Sequence, residues 1–158
     1  HLEAYRQRPD AQSVIHAHPP IAIALSIAGL SLARCLLPDI ILYFGLIPTT
    51  EYATPASAEG VAVISELIQR YDALILQRHG SVTIGPTVSD AYLKLEKLEH
   101  TALITKTVVE LGREKPFPQE EIAKLAQWRS DVGLMRPGQA DDLCAACGVC
   151  ELLGRKAC

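Results

Sequence analysis

Apolar residues along the chain fall into short blocks separated by proline, glycine and charge, and the spacing inside each block predicts its element. Residues 1–8 read as the end of a helix that stops before Pro9, because proline disfavours helical geometry in its predecessor. Residues 12–16 carry the run Ser-Val-Ile-His, which fits a short buried strand continuing into Ala17 and His18 and closed by Pro19-Pro20. From Ile21 to Ala28 the apolar residues go almost all the way round, which predicts a core helix ended by Gly29. The stretch 40–50 is rich in Ile, Leu, Tyr and Phe, and reads as one or two strands bent at Gly45 and Pro48.

Thr54-Pro55 has the form of an N-cap followed by proline at the first helical position, opening a helix to about Tyr71. Two strands, 73–77 and 81–84, then flank Arg78-His79-Gly80 as a hairpin or sharp turn. Thr87 to Asp90 resembles a capping box with Asp for Glu, and apolar positions 88, 92, 95, 98, 102, 103 and 109 extend the longest helix to Gly112. A further helix covers 118–129. Beyond Gly133 the chain turns to Gly, Pro and Asp before a cluster of cysteines. No internal repeat is visible.

The pattern is that of an α/β protein, and 158 residues with 49% hydrophobic content suffice for one buried core. The net charge is -3, from 15 basic and 18 acidic residues, with no dense Lys/Arg cluster, so no nucleic-acid partner is expected. The longest apolar runs are too short and too interrupted to span a bilayer, so no membrane partner is expected either. The first residue is His1 rather than Met, no basic segment with an apolar stretch behind it comes before the first amphipathic segment, and further N-terminal sequence is expected upstream. Four of the five cysteines lie in the last fifteen residues. That distribution is not a disulfide framework, and it points to a reducing cytoplasmic setting with Cys35 as a small hydrophobe.

The chemistry concentrates in histidines. Residues two apart on a strand point to one face, so His16 and His18 can aim both imidazoles at one point. Zinc held by histidine needs three or four ligands, a catalytic site keeps one position open, and His79 beside Gly80 is the best third ligand. On spacing alone, the alternative of a polar strand end and an unrelated turn histidine weighs equally.

The ordered set Tyr5 to Asp10, Val14-Ile15-His16-Ala17-His18-Pro19, Pro38-Asp39-Ile40-Ile41, Tyr52-Ala53-Thr54-Pro55 and Leu76-Gln77-Arg78-His79-Gly80 resembles the class II aldolase/adducin family, over roughly residues 1–112. The resemblance implies a three-layer α/β/α domain around a mainly antiparallel sheet, assembled as a homotetramer. It also implies a zinc ion, or another divalent metal, on His16, His18 and His79. In the family that ion binds hydroxyl and carbonyl oxygens of a small sugar phosphate, such as L-fuculose 1-phosphate, and stabilises an enediolate as a carbon–carbon bond breaks. The family's acid/base glutamate and its phosphate-holding residues fall upstream of His1. The family's fuculose-phosphate aldolases place a proton-donating tyrosine where this chain reads Leu36-Leu37-Pro38-Asp39, with Asp39 as a speculative substitute. Sugar-phosphate epimerase, dehydratase and non-catalytic adducin-like interaction module stay open beside the aldolase reading.

Residues 1–133 form the aldolase/adducin-like domain in this reading, and 134–158 a cysteine-rich C-terminal tail. Cys144, Cys147, Cys150 and Cys158 resemble the first three cysteines of a bacterial ferredoxin run with an isolated fourth, and are a candidate second zinc site or iron–sulfur site beside a plain thiol-rich tail. His100 reads as a partly buried or interfacial histidine outside the metal set. Tyr52 reads as a packing residue.

Overall fold

The computed structural model describes residues 1–115 and 117–154. Its elements are α1 (Leu2–Gln7), β1 (Ser13–Ala17), α2 (Pro20–Ile27), α3 (Pro38–Tyr43), α4 (Ala58–Arg70), β2 (Ala73–Leu76), β3 (Gly80–Gly85), α5 (Val88–Leu111), α6 (Gln119–Asp131) and α7 (Gln139–Cys147). The strands form an antiparallel sheet in the order β1-β3-β2, with His16 opposite Val82 and Leu76 opposite Gly80.

Strand alternation divides the core into two layers of packing. Leu74, Val82 and Ile84 pack with Ala4 of α1, Ile64 and Ile68 of α4, and Ile122 and Leu143 from α6 and α7. Ala73 and Ile75 face the other way, onto Ala22 and Leu25 of α2 and Leu98 and Ala102 of α5. The result is the expected three-layer α/β/α domain with an antiparallel centre. No helix among the described residues is long and apolar enough to cross a membrane.

Helix starts follow cap chemistry. Thr87 accepts a hydrogen bond from the Asp90 amide and opens α5, which ends at Gly112 in the left-handed region. The cap of α4 is Ser57, accepting from the Gly60 amide, three residues later than the expected Thr54.

The expected strands over 40–50 are corrected. Residues 38–43 are helical, opened by Pro38, with Ile40 and Phe44 packed in one cluster and Ile41 in the other. Six residues are too few to display a helical period, and their β-branched and aromatic content imitates a strand. Extended pairing survives only after Gly45, where Thr49 bridges Ile75 in parallel.

Nor does the sequence pattern show α7. Tertiary contacts hold it: Gln139, 1% exposed, donates to the Phe44 and Arg70 carbonyls and accepts from Arg129 and the Arg136 amide. Tyr71 donates to Asp142, and Leu143 and Val149 join the core.

The reading of unpaired cysteines is also corrected. Cys35 is bonded to Cys147 and Cys144 to Cys150, with Cα separations of 5.9 and 4.5 Å. These separations are within disulfide reach, and the fold brings Cys35 to α7 across 112 residues. Three of the four cysteines offered as a metal site are therefore paired as disulfides here, and Cys158 lies outside the described residues. The pairing removes the cysteine argument for a reducing compartment.

Candidate metal centre

The three histidines meet at one end of the sheet. His16 sits near the end of β1, and its Nδ1 lies 2.9 Å from the Ser81 carbonyl oxygen. A carbonyl only accepts, so Nδ1 carries the proton and donates, leaving the Nε2 lone pair directed away from the strand. His18 follows the strand, with its Nε2 3.2 Å from His16 Nε2.

His79 comes from the β2–β3 turn, where its amide donates to the Leu76 carbonyl. Arg78, not Gly80, takes the left-handed conformation of this turn, with φ 60°. The Arg78 amide donates to Ser26 Oγ, which ties the turn to α2. Ring centroids of the three histidines are separated by 4.8 to 5.2 Å.

Gly80 matters for a reason other than backbone freedom. A Cβ there would collide with the Ala17 carbonyl oxygen and would lie 2.8 Å from His18 Cδ2 and 3.1 Å from His16 Cε1. The absent side chain is what lets the two rings lie against β3.

Among the described residues this is the group of three or more His, Cys, Asp or Glu whose ligand atoms converge, all within 4.8 Å of one another. Two nitrogens at zinc–histidine distance and tetrahedral angle stand about 3.3 Å apart, which matches the 3.2 Å between His16 and His18. Burial lowers the His16 pKa, as do the neighbouring His79 and His18, against the opposing Ser81 carbonyl. All this favours the neutral imidazole, the form that binds metal. The carbonyl behind His16 fixes its tautomer, as partners behind metal-bound histidines do. The donor set therefore fits a divalent ion.

Two clefts open on the cluster. His16 and His79 wall a cavity of about 220 Å³ shared with Glu51, Ser57 and Gly60 beside the start of α4. On the other side, His18 borders an open cleft of about 610 Å³ with Tyr92, Glu99 and His100 of α5.

Glu99 is a site-supporting residue that the sequence reading missed. Its two carboxylate oxygens accept from the Ile21 and Ala22 amides, at 2.8 and 3.0 Å, and so cap α2 and hold the His18-Pro19-Pro20 corner. The signal was present: a helix opened by two prolines has no side-chain cap of its own and needs an acceptor from elsewhere. His100 is exposed on α5 and outside the converging set. Asp39 pairs with Lys97 and lines a different cleft from the histidines. Tyr52, expected to pack, is exposed.

Comparison with known proteins gives a consistent result. The family described as Class II Aldolase and Adducin N-terminal domain matches residues 1–105. An L-fuculose phosphate aldolase of Methanococcus vannielii is 31% identical over 113 residues, 72% of this chain and 61% of the relative. A 3-oxo-tetronate 4-phosphate decarboxylase of Pectobacterium atrosepticum is 31% identical over 132 residues, 80% of this chain and 59% of the relative. A solved L-fuculose 1-phosphate aldolase superposes with a TM-score of 0.72 at 25% identity, covering 82% of this chain and 61% of that one. The chain thus spans about three fifths of the length of these relatives.

Proposed function

The chain belongs to the class II aldolase and adducin family, and from that premise we propose that it is a metal-dependent lyase breaking a carbon–carbon bond in a small sugar phosphate. The observation that carries this reading is the convergence of His16, His18 and His79, with the His16 tautomer held by Ser81. In the proposal these three histidines hold a zinc ion or another divalent metal. Such an ion supplies Lewis-acid polarisation of substrate oxygens, lowering the cost of negative charge that develops as the bond breaks.

The chain's own residues do the rest of what can be assigned. Ser81 keeps His16 as a donor of its Nε2 lone pair, Gly80 leaves room for two rings, and Glu99 and Ser26 fix the two loops that carry His18 and His79. The 220 Å³ cavity beside His16 and His79 has room for a small substrate fragment, walled by Ser57 and Gly60 at the start of α4. The acid/base glutamate of the family corresponds to a position before His1 and belongs to the proposal, as do the homotetramer and a cytoplasmic setting.

Aldol cleavage of a substrate such as L-fuculose 1-phosphate is the first reading. Decarboxylation of a phosphorylated 3-oxo sugar acid is the second, favoured by a relative of equal identity over more of the chain. Both reactions leave an electron pair on carbon beside a carbonyl, so one metal-assisted site suits either. The test is metal analysis of the full-length protein together with assays on ketose phosphates and phosphorylated 3-oxo acids. The expected result is about one divalent ion per chain at the histidines and turnover in one substrate class. Protein that takes up no divalent ion on titration would refute the site, and a metal-loaded protein inert on both classes would favour an adducin-like interaction module.

A further inference from the structure

We propose that Cys35, Cys144, Cys147 and Cys150, when reduced, form a four-thiolate site for a [4Fe–4S] cluster, separate from the histidine centre. Cys144 and Cys147 stand three apart on α7, so their side chains share a helix face. Gly148, in the left-handed region with φ 68°, ends the helix and turns the chain so that Cys150 returns to Cys144. Cys35, from the segment between α2 and α3, meets Cys147 on the same helix. The two disulfides thus leave α7 from positions one helical turn apart, and Cys35 and Cys150 are both drawn to that stretch of the helix.

Spacing selects the ligand. Three cysteines separated by two residues each supply three corners of a cubane, and the fourth thiolate comes from a remote position. Here the fold supplies that remote cysteine as Cys35, in place of the Cys158 suggested by sequence order. Zinc also accepts four thiolates, but its sites are assembled from separated ligand pairs rather than one evenly spaced run of three.

The surroundings permit assembly. Cys35 and Cys150 lie outside helices and strands, so the backbone that must part to admit a cluster is loop. Cys150 borders a cleft of about 600 Å³ with Pro118, Gln119 and Glu151, which gives iron and sulfide a way in. Cys35, Cys144 and Cys150 are each at most 8% exposed, a setting that shields a bound cluster from water.

The two forms differ by four electrons. Each disulfide accepts two electrons and yields two thiolates, so two equivalents of a dithiol reductant, each oxidised to its own disulfide, free the four ligands. Two ferrous ions, two ferric ions and four sulfides then assemble on the four thiolates with no further electron transfer, since these charges already sum to the doubly positive core of the cluster. Either form clamps α7 to the body of the fold through Cys35.

The test uses the full chain, reduced anaerobically with dithiothreitol, freed of it, supplied with equal amounts of ferrous and ferric iron and with sulfide, and desalted. The expected result is about four iron and four acid-labile sulfide per chain, with a paramagnetic signal after dithionite reduction. Iron on the histidines brings no sulfide, so sulfide reads the cysteine site alone. Cys35→Ser should lose most of the sulfide while keeping wild-type circular dichroism, and Cys158→Ser should keep all of it. Should Cys35→Ser fail to fold, Cys150→Ser, in the turn beyond α7, must show the same loss. Absence of retained sulfide in the wild type, zinc uptake by the thiolates in place of the cluster, full sulfide in the cysteine variants, or its loss in Cys158→Ser would each overturn the proposal.

Discussion

Gly80→Ala adds one methyl group between β1 and β3 and should damage the histidine cluster without touching a ligand. The new Cβ meets the Ala17 carbonyl oxygen, which no rotamer change can move, and stands 2.8 Å from the His18 ring and 3.1 Å from the His16 ring. Ala17 pairs with Ser81 in the sheet, so relief requires the two strands to part where His16 is held. Overpacking of this kind costs about 1–3 kcal/mol, and the unyielding carbonyl puts this case toward the upper end. Displacing groups that orient metal-bound histidines weakens metal binding about 10- to 100-fold. The control is Gly112→Ala, where φ is +64° and nothing lies within 4 Å of the new Cβ. It should cost about 1–2 kcal/mol from left-handed strain alone and leave metal affinity unchanged. Urea unfolding in chelator gives the stability, and zinc titration against a chromophoric chelator gives the affinity. Wild-type zinc affinity in Gly80→Ala would refute the idea that this glycine makes room for the ligands.

His79→Ala removes the one ligand not carried by the β1 segment, and should release the metal and lower lyase turnover by orders of magnitude in a folded protein; full activity with normal circular dichroism would exclude His79 from the site. Gln139→Ala deprives four partners of their hydrogen bonds, two of them buried and two part-buried, and a loss of about 3 kcal/mol is expected in urea unfolding; a loss below about 1 kcal/mol would show that α7 is held by other contacts. Burial pushes the Asp72 carboxyl up, but Lys94 and Arg8 outweigh it and hold its pKa below the ordinary value. A lowered native pKa stabilises the fold above the unfolded value of about 3.9 and loses that contribution as pH falls through the native value. Below about pH 4 the wild-type urea midpoint should therefore fall more steeply than that of Asp72→Asn, and parallel acid limbs would contradict this.

Periodicity and cap chemistry made much of this protein legible without coordinates. The strand carrying His16, the hairpin around His79, the capped and glycine-terminated α5 and the apolar α2 all depend on neighbours within a few residues, and such signals are written locally. The candidate ligands were legible for the same reason, since strand alternation pairs His16 with His18 and one short turn exposes His79. What required tertiary structure was everything decided by distant partners. Residues 38–43 are helical because Ile40, Ile41 and Phe44 meet two separate cores, a condition that a six-residue pattern does not encode. The α7 segment is ordered by the bonds of Gln139, Tyr71 and Cys35 across the molecule, and the pairing of Cys35 with Cys147 spans 112 residues that no spacing rule connects. Even Gly80, which looks in sequence like a turn glycine, is needed because another strand's carbonyl and two imidazoles occupy the space where its side chain would stand.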